Sequence, residues 1–98
     1  MPSQADDPVV QELRAEIDAA DRAVLVALNR RIEAVRRLHD HKVANGYALS
    51  DPSREQAIVA ALQADNAGPM ADEAVPEVVA AVLAVTLHEV RRLRGEGW

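Results

Sequence analysis

The sequence predicts an all-α protein of three helices, one long, one short and one of medium length. Three observations support this prediction. Pro and Gly residues divide the chain into three blocks, and apolar residues recur within each block at spacings of three, four or seven, which is the helical period. The chain is 49% hydrophobic but only 2% aromatic. Its core must therefore consist of Ala, Val, Leu and Ile, which suits closely packed helices.

The first and longest helix is predicted to run from about residue 8 to residue 44. Asp7 and Pro8 are a typical helix start, because Asp accepts from free N–H groups and Pro fits the first helical position. Asn45 and Gly46 mark its end, because both tolerate the left-handed conformation. The alternative is a helix broken near Asn29. The apolar stripe consists of Leu13, Ile17, Val24, Leu28, Ile32, Val35 and Leu38.

The second and third helices are separated by an Asn-Ala-Gly-Pro loop at residues 66–69. Asp51 and Pro52 repeat the start signal, with Asp51 expected to cap the second helix. The third helix is predicted to begin near Asp72 and to end at Gly95. A strand over residues 77–85 is the competing interpretation, but the length without turn residues favours a helix. The apolar stripe of the third helix consists of Val75, Val79, Val82, Thr86, Val90 and Leu93.

Length and composition predict a single domain over residues 1–98, with residues 1–7 as a flexible N-terminal tail. The sequence has no Cys, which excludes disulfides and thiol chemistry. It has no signal-peptide pattern and no apolar stretch of the ~20 residues that a membrane span needs. We therefore expect a soluble, cytoplasmic protein without membrane contact. The formal net charge of −5 argues against nucleic acid as a partner.

The length of the first helix predicts a homodimer. A helix of about 37 residues is ~55 Å long, whereas a compact chain of this length has a radius of gyration of ~13 Å. Its apolar stripe continues to Leu38, and the other two helices are too short to cover all of it. A second copy related by two-fold symmetry is expected to cover the rest.

Three basic residues of the first helix form a candidate anion site. Arg31 and Lys42 lie on nearly the same face and ~16 Å apart, so both reach a small ligand between them. Arg14 is ~25 Å from Arg31 along the axis, so it reaches that ligand only from an antiparallel partner chain. Arg54 adds a cation at a helix start, where it opposes the helix dipole. The alternative interpretation is an ordinary solvated basic face.

Several motifs occur together in this chain: Leu13-Arg14-x-x-Ile17-Asp18-x-x-Asp21, Leu28-x-x-Arg31, Lys42 and Asp51-x-x-Arg54-Glu55. This set resembles the all-helical (AroQ) class of chorismate mutases over about residues 10–62. The resemblance implies an intertwined homodimer that rearranges chorismate to prephenate, on the route to phenylalanine and tyrosine, without cofactor or metal.

The resemblance also implies roles for individual residues. Arg14 of the partner subunit and Arg31 would bind the substrate carboxylates, with Arg54 supporting the anionic pocket. Lys42 would donate a hydrogen bond to the ether oxygen, and Glu55 would accept one from the ring hydroxyl. These groups act by orientation and electrostatic stabilisation, and no residue must act as general acid or base.

Three further positions complete the expected site. Asp51 would contact the substrate near the ring hydroxyl through its main chain, and Thr86 would line the pocket from the third helix. Val90 falls where the family usually has Gln or Glu, and its side chain cannot donate a hydrogen bond. His39 and His88, like the third histidine, His41, are expected to be solvated rather than metal ligands.

Other functions are compatible with this fold. They are an isochorismate pyruvate lyase, an amino-deoxychorismate mutase, and a non-catalytic helical dimer that serves as a regulatory partner. Some short members of the family are activated by docking onto the first enzyme of the shikimate pathway, DAHP synthase. Their C-terminal tails are rich in Arg and Gly, and residues 91–95 of this chain are similar.

Overall fold

The computed structural model describes residues 3–95, and over that range it contains helices and no strand. The all-α prediction is confirmed. The strand alternative over residues 77–85 is wrong, because those residues lie inside the third helix. The helices are α1 (Pro8–Ala44), α2 (Pro52–Asp65) and α3 (Val75–Leu93), with short 3-10 helices at Gln4–Asp6 and Asp72–Ala74.

Helix α1 begins and ends as predicted. The Asp7 carboxylate accepts a hydrogen bond from the Val9 N–H at 2.9 Å, which satisfies one free donor of the first turn. Gly46 follows the helix with a φ of 67°, which glycine adopts without a Cβ clash. The helix passes through Asn29 without interruption, so the broken-helix alternative is wrong.

The segment before α1 contains a 3-10 turn, which the expectation of a tail did not include. The Ser3 hydroxyl accepts a hydrogen bond from the Ala5 N–H at the start of this turn. Met1 and Pro2, which belong to the same predicted tail, lie outside the described residues.

The start of α2 differs in one detail from the predicted cap. Asp51 occupies the N-cap position, but its carboxylate makes no capping bond to the backbone. It accepts instead from the Ser53 hydroxyl at 2.7 Å. A hydroxyl that donates to an ionised carboxylate forms a strong bond, and this explains why the carboxylate turns to Ser53.

Contacts divide the chain into two units, Met1–Arg30 and Arg31–Trp98. The first unit consists mainly of the N-terminal part of α1, and its apolar stripe is exposed within the chain. Leu13 is 51% exposed, Ile17 57% and Val24 58%. Such a row of half-exposed aliphatic side chains is typical of an interaction surface.

The second unit contains the core, where α2 packs against α3. Val75, Val79 and Val90 of α3 are buried, together with Thr86. These residues share one helical face, which confirms the predicted α3 stripe up to Val90. Leu93, the last predicted member, is 41% exposed.

The loop between α2 and α3 is held by side-chain amides. Asn66 donates to the Met70 carbonyl and to the Asp72 carboxylate, both at 2.8 Å. Gln63 donates to the Asp72 carbonyl at 2.9 Å. These bonds place the start of α3 beside the end of α2. Among the described residues, none of the helices is both long and apolar enough to cross a membrane.

Candidate active site

A hydrogen-bonded pair joins α1 to α3 inside the second unit. The Arg31 guanidinium donates from Nη1 to the Thr86 hydroxyl at 2.5 Å. The same hydroxyl donates to the Val82 carbonyl one turn earlier, at 2.7 Å. Arg31 is half-buried, and Thr86 is only 2% exposed. A cation from α1 is therefore held against the inner face of α3.

Arg31 and Arg54 line one cavity of about 330 Å³. Its remaining walls are aliphatic side chains of α2 and α3, and no carboxylate belongs to the lining formed by the described residues. This volume lies at the small end of the range for pockets that hold organic ligands. The aliphatic residues are Ile58, Leu62, Val78, Val79, Val82 and Leu83.

The two guanidinium groups influence each other. Burial lowers the pKa of Arg31, and the nearby positive charge of Arg54 lowers this pKa further. Both causes disfavour the charged form, yet an Arg in a protein stays protonated. An anion between the two guanidinium groups would offset both effects and accept bidentate hydrogen bonds from them. The cavity thus combines cations with apolar walls, as a small carboxylate with a hydrocarbon ring would require.

Lys42 lies in the same unit but is not among the residues that line the cavity of Arg31 and Arg54. It is half-buried and lines a smaller cavity of about 70 Å³ together with Leu38 and Leu49. The hydrogen bond from the Ser53 hydroxyl lowers the pKa of Asp51, and the charge of Lys42 adds to this effect. Lys42 therefore acts electrostatically on the start of α2.

The other predicted site residues lie in three different surroundings. Glu55 is exposed in the first turn of α2. Val90 is 3% exposed and lines a cavity of about 480 Å³ with His39 and Leu49, which does not include Arg31 or Arg54. Arg14 belongs to the first unit, where it donates to the Gln4 side chain at 3.2 Å.

Two interactions near the site were not predicted from the sequence. The bond between Ser53 and Asp51 had a local signal, because a Ser two residues after Asp often bonds to it at a helix start. The ion pair between Arg94, which follows the last residue of α3, and Asp40 of α1 had none, because the two residues are far apart along the chain. It links the end of α3 to the last turns of α1.

Comparisons with known proteins agree on one family. The family model described as chorismate mutase type II matches residues 13–90. Two solved structures of chorismate mutase from Thermus thermophilus are similar. Form II has 30% identity and a TM-score of 0.77, and the match covers 85% of this chain and 94% of that one. Form I has 30% identity and a TM-score of 0.74, with 79% and 96% covered. The comparison with curated proteins gave no match.

Proposed function

Because the chain belongs to the type II chorismate mutase family, we propose that it rearranges chorismate to prephenate. The observation that supports this most directly is the cavity that Arg31 and Arg54 share with aliphatic walls. Chorismate carries two carboxylates on a largely hydrocarbon frame, so it needs both kinds of wall. In a chain of net charge −5, two guanidinium groups at one cavity favour the binding of an anionic ligand.

The proposed reaction requires no covalent step that involves the protein. One C–O bond breaks and one C–C bond forms within the same molecule, so no proton, electron or leaving group passes to a side chain. The site contributes by holding the two reacting carbons in contact. It also stabilises the negative charge that develops on the ether oxygen in the transition state. Fixed cations supply this second effect because they need not reorganise during the reaction.

We assign the residue roles accordingly. Arg31 and the partner's Arg14 bind the carboxylates, and Arg54 supports the anionic pocket. Lys42 donates to the ether oxygen as the C–O bond breaks. Glu55 accepts from the ring hydroxyl, and Asp51 contacts the same part of the substrate through its main chain. The half-buried position of Lys42 supports its role, because a partly desolvated ammonium group interacts more strongly with developing charge.

We propose that the working form is a homodimer in which Arg14 completes the partner's site. In the unit Met1–Arg30, apolar side chains remain 51–60% exposed within the chain. Burying the exposed part of one such side chain contributes about 1 kcal/mol, so the whole row favours association strongly. An antiparallel arrangement of the two long helices would bring the partner's Arg14 to the cavity. The row on one face of α1 consists of Val9, Leu13, Ile17 and Val24, whereas the exposed Leu25 and Val26 lie on other faces of the helix.

We also propose that the enzyme is cytoplasmic and that DAHP synthase activates it. Val90 is buried and aliphatic at the position where the family usually has a hydrogen-bond donor. Lys42 then stabilises the ether oxygen without a second donor, and the free enzyme should be slow. A rise in kcat on adding DAHP synthase, absent when Arg91 and Arg92 are both replaced by Ala, would support this proposal. An unchanged kcat would reject it.

One assay tests the proposed reaction. Purified protein is incubated separately with chorismate, isochorismate and amino-deoxychorismate, and prephenate, pyruvate and substrate loss are measured. We expect prephenate from chorismate, strong loss of turnover in Arg31→Ala, and little change in Arg30→Ala, whose side chain is exposed. Pyruvate from isochorismate would replace the proposed reaction by a lyase. No turnover of any of the three, with or without DAHP synthase, would leave a non-catalytic helical protein.

A further inference from the structure

Thr86 is the only buried polar or charged side chain among the described residues. A buried hydroxyl is costly unless it is hydrogen-bonded, and Val would fill the same space in this Val-rich core without needing a partner. The shape of the site would be the same with Val at this position. What distinguishes Thr86 from Val at this position is therefore its hydroxyl and the partners of that hydroxyl.

The hydrogen bonds of Thr86 show what its hydroxyl has left to offer. A hydroxyl has one hydrogen to donate, and the Val82 carbonyl accepts it at 2.7 Å. Arg31 occupies one of its lone pairs at 2.5 Å. What remains is a single acceptor position. A substrate carboxylate is itself an acceptor, so it cannot bond to Thr86 unless the bond to Val82 breaks.

We propose that Thr86 is a positioning residue that acts through Arg31 and does not bind the substrate carboxylate. This inference rests on the proposed function for the identity of the ligand. The Val82 carbonyl fixes the Thr86 hydroxyl, and the hydroxyl fixes one N–H of the Arg31 guanidinium. The other N–H groups of the guanidinium are then already oriented toward the ligand site, which lowers the entropy lost on binding.

The charge of Arg54 makes such a tether necessary. Arg31 and Arg54 line the same cavity and repel each other while no anion lies between them. An unrestrained Arg31 would turn toward solvent, since its long side chain loses little by doing so. The bond to Thr86 opposes this rotation and keeps the guanidinium at the cavity wall.

Three substitutions separate the hydroxyl of Thr86 from its size. Thr86→Val removes the hydroxyl and keeps the shape, Thr86→Ser keeps the hydroxyl and removes the methyl group, and Thr86→Ala removes both. The kcat and KM for chorismate, the Kd for prephenate by calorimetry and the Tm are measured for each. Loss of a hydrogen bond to a charged group predicts that KM and Kd rise about tenfold or more in Thr86→Val and Thr86→Ala. We expect both constants of Thr86→Ser to stay within about threefold of wild type.

Two controls test whether Thr86 acts through Arg31. Adding Thr86→Val to Arg31→Ala should change the Kd for prephenate less than about twofold, because the group that Thr86 holds is already absent. Val75→Ala removes buried volume from the same helix away from the cavity, so it should lower Tm and leave KM unchanged. Effects that follow side-chain size, with Thr86→Val like wild type and Thr86→Ser like Thr86→Ala, would overturn the inference.

A final measurement does not depend on the identity of the substrate. In ligand-free protein, the side-chain ¹⁵N resonances of Arg31 should show hindered guanidinium rotation in wild type and in Thr86→Ser. The same resonances should be averaged by free rotation in Thr86→Val and Thr86→Ala. Identical resonances in all four proteins would reject the positioning role even if chorismate is turned over. If wild type shows hindered rotation of the Arg31 guanidinium but neither turns over chorismate nor binds prephenate, the proposed function is rejected and the positioning role is retained.

Discussion

Ile17→Ala should weaken association of the two copies. Ile17 is 57% exposed within the chain, and the substitution removes three carbon atoms at about 0.8 kcal/mol per buried group. Scaled by 57% exposure, the loss is about 1.4 kcal/mol for each copy. A symmetric dimer contains two such positions, so the total is about 2.7 kcal/mol, which corresponds to a roughly 100-fold higher dimer Kd.

Sedimentation equilibrium over a wide concentration range measures this change directly. Arg22→Ala is the matched control, because it truncates an exposed side chain on a different face of the same helix. We expect the control to associate as wild type does, and chorismate turnover of Ile17→Ala to fall on dilution. Equal dimer Kd values for Ile17→Ala and wild type would refute the reasoning, as would full activity in a monomeric wild type.

Two further predictions concern single residues of the site. Lys42→Ala should raise the activation barrier by ~3 kcal/mol and so lower kcat more than 100-fold, because the proposed donor acts mainly in the transition state. Steady-state turnover of chorismate measures this, and a kcat within twofold of wild type would remove Lys42 from the mechanism. Ser53→Ala should raise the pKa of Asp51 toward its ordinary value, because the Ser53 hydroxyl bond is the main cause of the lowering. A carboxyl ¹³C titration with an unchanged midpoint would contradict that assignment.

The sign of the pH effect at Asp51 follows from the lowered pKa. In the folded protein Asp51 stays ionised to lower pH than in the unfolded chain. Its contribution to stability is therefore present above the unfolded pKa and is lost as the pH falls through the folded pKa. In Ser53→Ala this loss should begin at a higher pH, closer to the unfolded pKa.

The helices could be predicted because their signals are local. The start of α1 at Pro8 and its end at Ala44 follow from one Asp-Pro pair and one Asn-Gly pair. The period of the α3 stripe identified Val75, Val79, Thr86 and Val90 as the buried face. Such signals involve residues within a few turns of each other, where backbone geometry decides the outcome.

The interior of the site could be predicted only in part. Periodicity placed Thr86 in the apolar stripe of the third helix, and spacing placed Arg31 on nearly the same face as Lys42. The bond between Arg31 and Thr86 depends on side-chain rotamers and on helix packing, which neither pattern predicts. The same limit applies to Lys42, which was expected to share a ligand with Arg31 yet lines a different cavity within the described chain. The ion pair of Asp40 with Arg94 joins α1 to the residue that follows α3, and no local pattern predicts it.

The most direct test of the composite site mixes two inactive subunits, Arg14→Ala and Lys42→Ala. If Arg14 serves the partner's site, each heterodimer contains one intact site and one site with both defects. Random exchange, verified by native mass spectrometry, should then restore roughly one quarter of wild-type chorismate turnover. No recovery on proven exchange would show that both residues serve the site of their own chain, and the two-chain site would be rejected.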